Sequence, residues 1–109
     1  MKVIKVKDVI SSEFAVSPED GDIIFNIIKS ELDSQEKIAI DFQEIDLMTT
    51  AFLNNAIGKL YNIYNTQVLN EYIEIKNISS TDIKLLKKVI DRAKIKFTEK
   101  DMENVGEGL

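Results

Sequence analysis

The residues best suited to chemistry or recognition lie in one stretch, residues 37 to 61, KIAIDFQEIDLMTTAFLNNAIGKLY. Thr49 and Thr50 place two hydroxyls where a helix should begin, because Leu53, Ile57, Leu60, Tyr61 and Tyr64 recur at helical spacing. A hydroxyl at a helix start is a candidate phosphoacceptor. Phosphate would add about −1.5 to −2 charge at pH 7 beside exposed N–H groups that favour negative charge. Capping is the simpler role of the same residues. With Thr49 as the cap, Met48 and Leu53 take the two positions of a hydrophobic staple, and Thr50 is the first helical residue.

Asp41, Glu44 and Asp46 form a run of carboxylates just ahead of the threonines. They can be read as hard oxygen ligands for Mg²⁺, as an acidic rim facing a basic partner, or as a solvated turn in which Asp41 bonds nearby backbone. Asn54 and Asn55 follow in the first turns of the helix, where they could hydrogen-bond a partner or simply form its polar face.

Composition narrows these options. A 109-residue chain with 44% apolar and 30% charged residues suits one globular domain. A formal charge of −5 argues against a general nucleic-acid or anionic-membrane binder. The absence of cysteine excludes disulfides, thiol chemistry and zinc–thiolate sites, and points to an intracellular, cytoplasmic protein. The absence of histidine removes the usual triads, the usual general base and the commonest transition-metal ligand. Only carboxylates, lysines and hydroxyls remain for catalysis, so a non-enzymatic role without a cofactor is expected. There is no apolar run long enough to cross a bilayer, and MKVIKVKDVI alternates instead of forming a signal-peptide core.

The elements that must position these residues can be read in order. Residues 2–10 alternate and predict a first strand, and Glu13–Val16 a short strand or connector. Ser17-Pro18-Glu19-Asp20 is a helix start, followed by Ile24, Ile27, Ile28 and Leu32 at helical spacing. Gly21 in its first turn either admits another backbone or marks a frayed end. Lys37–Phe42, with a continuous Ile38-Ala39-Ile40, predicts a central strand; lying between two helices it suggests an α/β sandwich with parallel neighbours, and sites in such sheets form beyond the strands' carboxyl ends, where residues 41 to 50 lie. After the helix from Thr50 to Asn65, residues 71–78 alternate as a half-buried strand. Ser79 and Asp82 have capping-box spacing ahead of Ile83, Leu86, Ile90 and Ala93. Lys84, Lys87, Lys88, Arg92, Lys94 and Lys96 make this last helix basic, but no aromatics interleave to stack nucleic-acid bases. A solvated face, pairing with the acidic loop of another molecule, suits it better. Ile95-Lys96-Phe97 reads as a terminal strand or apolar latch, able to support a homodimer, and residues 99–109 as a mobile tail after a domain of residues 1–98.

The segment DFQEIDLMTTAFLNNAIGKL resembles the core of STAS-type domains, the family of bacterial anti-sigma factor antagonists. In that family a strand ends in an aspartate, a short loop carries apolar residues, and a hydroxyl-bearing stretch opens a helix. Here Ile40-Asp41-Phe42 ends the strand, Ile45 and Leu47-Met48 supply the loop, and Thr49-Thr50-Ala51-Phe52-Leu53 stands where antagonists carry an Asp-Ser-Ser-Gly-Leu type sequence. Thr50 matches the phosphorylated serine and Leu53 the leucine, while Thr49, Ala51 and Phe52 depart from the pattern. Those departures look closer to the divergent STAS-like families of unassigned function. The resemblance implies an α/β sandwich, with a four- to five-stranded mixed sheet covered by helices mainly on one face. It also implies a regulatory module that docks through Asp41, Glu44, Asp46, Met48, Thr49, Thr50, Asn54 and Asn55. In the family such partners include ATP-dependent serine kinases that double as anti-sigma factors, with the ATP held by the partner. The alternative is a module that binds a small ligand or Mg²⁺ in the strand-end crevice through Asp41 and Asp46.

Overall fold

A computed structural model describes residues 1–107, with side chains described as far as Lys94. The elements run β1 (Lys2–Lys5), α1 (Val6–Ile10), β2 (Phe14–Ala15), α2 (Pro18–Asp33), β3 (Ile38–Asp41), β4 (Leu47–Met48) and α3 (Thr50–Ala56). A 3₁₀ helix (Gly58–Asn62), α4 (Thr66–Tyr72), β5 (Ile73–Lys76) and α5 (Ser80–Glu107) complete the chain. The α/β class is as expected, but in place of one mixed sheet of four to five strands the described strands form two smaller parallel sheets. Every described strand pair is parallel: β1-β3-β5 form one sheet, and β2-β4 form a separate two-stranded one.

In the larger sheet, Ile4, Ile40 and Ile75 align in one row and Val3, Ala39 and Glu74 in the next. Both crossovers advance the same way across the sheet, and right-handed connections then place their helices on a single face. Burial agrees, since Ile4, Ile38 and Ile40 belong to the core cluster while Val3 is 54% exposed on the opposite face. Side-chain alternation in a strand produces this division.

The first strand is shorter than its alternation suggests. Val6, Val9 and Ile10 also fall at helical spacing, and as α1 they pack on the core, with Val6 fully buried. The helix ends at Ser11, whose backbone is left-handed at φ 56°. The helix expected over residues 50–65 is likewise interrupted. It stops at Ala56 and tightens into the 3₁₀ helix at Gly58, where an added Cβ would lie 3.3 Å from Val89 of α5. Asn65, read as a helix end, instead caps α4 by accepting from Val68 N–H at 2.9 Å. Residues 71 and 72 therefore finish a helix, and the strand is confined to Ile73–Lys76. At residues 95–97 the backbone continues α5, so there is no terminal strand. The apolar latch there and the mobile tail at residues 99–109 rest on side chains outside the described residues.

Helix α2 is capped as expected, Ser17 Oγ accepting from Asp20 N–H at 3.1 Å. It buries Gly21, Ile24, Ile28 and Leu32. Gly21 is a contact point, not a frayed end: a Cβ there would come within 2.5 Å of the Phe52 carbonyl oxygen and 2.9 Å of Asn55 Cβ on α3. Gly→Ala normally stabilises a helix interior. Here Gly21→Ala must push two helices apart, so it should lower stability by about 1–3 kcal/mol in urea denaturation, the range typical of overpacking.

Candidate functional site

The site is built on α3, where the start of the helix is fixed by Thr49. Its hydroxyl accepts from Phe52 N–H at 3.2 Å and donates to the Val16 carbonyl at 2.7 Å. One side chain thus caps α3 and joins it to the chain leaving β2. Met48 is 5% exposed and Leu53 fully buried, consistent with the staple. Because Met48 lies in the core, it cannot contact a partner directly, contrary to its inclusion in the expected docking set. Thr50 is the first residue of α3, half-buried, and Asn54 is exposed one turn later. Asn55 turns back to α2, donating to Pro18 O at 3.3 Å and Asp22 Oδ1 at 3.1 Å, so it supports the site from within the fold.

The three carboxylates do not converge. Asp41 Oδ1 accepts from Gln43 N–H and from Asn77 Nδ2, both at 2.9 Å, the local backbone bonding expected of a turn aspartate. These hydrogen bonds, that of Asn77 first, hold its carboxyl below the usual range. Glu44, at φ 65°, turns to Lys7 and to Lys5, 3.7 Å away, and the Lys7 hydrogen bond pulls its pKa down while pushing that of Lys7 up. Asp46 is exposed, its backbone N–H donating to Glu13 O at 2.8 Å. Among the described residues no group of three or more acids is placed to hold a metal ion. A nearby open cleft of about 420 Å³ is lined by Lys7, Asp8, Ser11, Ser12 and Glu13. Its Lys7 ammonium already pairs with Glu44 and with Glu13 at 3.6 Å.

The residue that sequence reading missed is Phe14. It pairs in register with Leu47, and each is 53% exposed, so two large apolar side chains stand together on the outer side of the small β2–β4 sheet. Their neighbours Ala15 and Met48 point inward and are buried. A lone phenylalanine in a short connector carries no periodic signal, and its pairing with a segment 33 residues away cannot be read from local spacing.

The described elements make an α/β fold of two small parallel sheets, with Thr49 capping the helix that follows β4. Residues 20–82, more than half of the chain, match the family described as a STAS-like domain of unknown function (DUF4325), and the chain belongs to that family. No curated protein and no solved structure matches significantly. No described helix is long and apolar enough to cross a membrane.

Two outcomes test this geometry. Thr49→Val, which removes both hydrogen bonds of the hydroxyl, should cost about 1–2 kcal/mol in chemical denaturation. Thr49→Ser should retain most of that stability, and Thr50→Ala should stay within about 0.5 kcal/mol of wild type. Because Asp41 has a lowered folded pKa, its stabilisation is present above the unfolded value of 3.8 and is lost as pH falls through the folded one. Asn77→Gly removes the amide while tolerating the positive φ of 56° at that position. The deficit of this variant should therefore be present at neutral pH and shrink below about pH 4 in denaturation curves recorded across pH.

Proposed function

We propose that this STAS-like domain is a non-enzymatic regulatory module that docks onto a protein partner, in the cytoplasm, through the surface around β2, β4 and the start of α3. The supporting observation is the paired exposure of Phe14 and Leu47, next to exposed Asp46 and just ahead of the α3 start at Thr50. Single exposed apolar residues are ordinary, whereas two large ones side by side with polar neighbours make a compact apolar centre with a polar rim. The partner class favoured by the family resemblance is an ATP-binding protein of the anti-sigma and serine-kinase type, with the nucleotide on the partner.

Thr50 is the phosphoacceptor in this reading. The Thr49 hydroxyl is committed to Val16 and Phe52, so modifying it would dismantle the cap, whereas Thr50 occupies the first helical position three residues from Leu47. A phosphate on Thr50 would have to be desolvated when a partner closes over the apolar pair, which opposes docking.

Capture from native cytosol, followed by mass-spectrometric identification and phosphosite mapping, tests the reading. Wild type and Thr50→Ala should retain the same ATP-binding protein. Leu47→Asp and Thr50→Glu should lose it by at least tenfold with Tm unchanged. Equal capture by all four proteins would place the binding surface elsewhere.

A further inference from the structure

The molecule carries a second exposed surface whose chemistry is the inverse of the first. On α5, Leu86, Val89 and Ala93 are buried against the body, and Ile83, Lys84, Lys87, Lys88 and Arg92 face outward. Ile83 is 41% exposed, and Lys87 lies one turn beyond it on the same side of the helix. Among the described residues no carboxylate lies within 4.0 Å of Lys84, Lys87, Lys88 or Arg92. Asp91 shares this face, but the cations remain in surplus.

Around Phe14 and Leu47 the carboxylates Glu13, Glu44 and Asp46 outnumber the cations, since Lys5 and Lys7 are taken up by Glu44 and Glu13 and Asp46 is left over. Glu13 and Asp46 each immediately precede one of the apolar pair, and the Asp46 N–H to Glu13 O bond holds the two segments together. Glu19 and Asp20 follow at the start of α2, which the Asn55 bond to Pro18 keeps beside α3. Asp46, Glu19 and Asp20 make no ion pair among the described residues, and Lys7 is already engaged by Glu13 and Glu44. Phe14, Leu47 and Ile83 all remain exposed in the single chain, so folding does not bring the two surfaces into mutual cover.

From this complementarity we infer that the occupant of the Phe14–Leu47 surface, in the absence of another partner, is α5 of a second copy of this chain. Ile83 packs on the apolar pair, and Lys84, Lys87 and Lys88 meet the acidic rim. The contact is heterologous: each copy uses one surface as donor and the other as acceptor, so association extends head to tail unless a ring closes. Exposed ion pairs are individually weak and screened by salt, so the assembly is concentration-dependent and dissolves as ionic strength rises. The inference rests on the docking role proposed above for Phe14 and Leu47, and it gives the free protein a means of covering that surface.

Sedimentation velocity of the full chain over a concentration series, at low and high salt, tests it. At low salt the average mass should climb above the 12.4 kDa of one chain with concentration, and it should fall back at high salt. Two surface variants, Asp46→Lys with Leu47→Lys and Ile83→Glu with Lys87→Glu, should each raise the dissociation constant at least tenfold. Circular dichroism confirms that each stays folded. Mixed together, the two variants should associate as a heterodimer, since each supplies the surface the other lacks. A wild-type chain that stays at 12.4 kDa throughout, assembly that survives in both variants, or a mixture without heterodimer would each overturn the inference. Partner capture by the α5 variant separates the two readings. If capture still depends on Leu47 while self-association fails, only the self-association is lost. If neither depends on Leu47, both fall.

Discussion

The constraint on which the rest of the structure depends is the close approach of α2 and α3 at Gly21. The Phe52 carbonyl lies where any larger residue would place a side chain, and this proximity lets Asn55 reach Pro18 and Asp22. Once α3 lies so near α2, the segments leading into the two helices are also neighbours, and β2 and β4 pair in parallel between them. Thr49 completes the junction by bonding Val16. A two-residue parallel ladder has little stability of its own. It persists because two packed helices hold its ends in place, and the exposed Phe14–Leu47 pair is a by-product of that packing.

The parts of the fold governed by local rules were legible in the amino-acid order. The Ser17-Pro18 start of α2, the Thr49 cap, the Ser79 cap of α5 and the buried Ile38–Ile40 strand each follow from a short pattern with one physical meaning. Where two patterns overlapped, the reading failed. Ile4 and Val6 alternate with lysines as a strand would, while Val6, Val9 and Ile10 fall at helical spacing, and in the fold the second pattern prevails from Val6 onward. The break at Gly58 depends on Val89 of a distant helix, so nothing near residue 58 announces it. The helix-strand-helix order announced parallel neighbours for the central strand, but not that the described strands would divide into two wholly parallel sheets in place of one mixed sheet.

The candidate site divides along the same line. Thr49, Thr50 and Asn54 could be placed from the motif, because caps and helix starts are local. Met48 and Asn55 belonged to the same motif but are consumed by the fold, one in the core and the other in bonds to α2. The acidic run dispersed because each carboxylate found a different surrounding: Asp41 its own turn and Asn77, Glu44 the lysines at the end of β1 and in α1, and Asp46 solvent. Charge density along a chain is therefore a poor guide to charge density in space.

The parallel pairing of Phe14 with Leu47 determines what kind of information this surface can convey. Neither segment contains the whole epitope, and the two come together only when the chain between them has formed α2 and β3. A molecule that reads this surface reads a completed domain, not a linear motif, and a short peptide copied from either segment would not substitute for it. Unfolded or truncated copies would be invisible to it, making recognition an implicit check on the integrity of the fold.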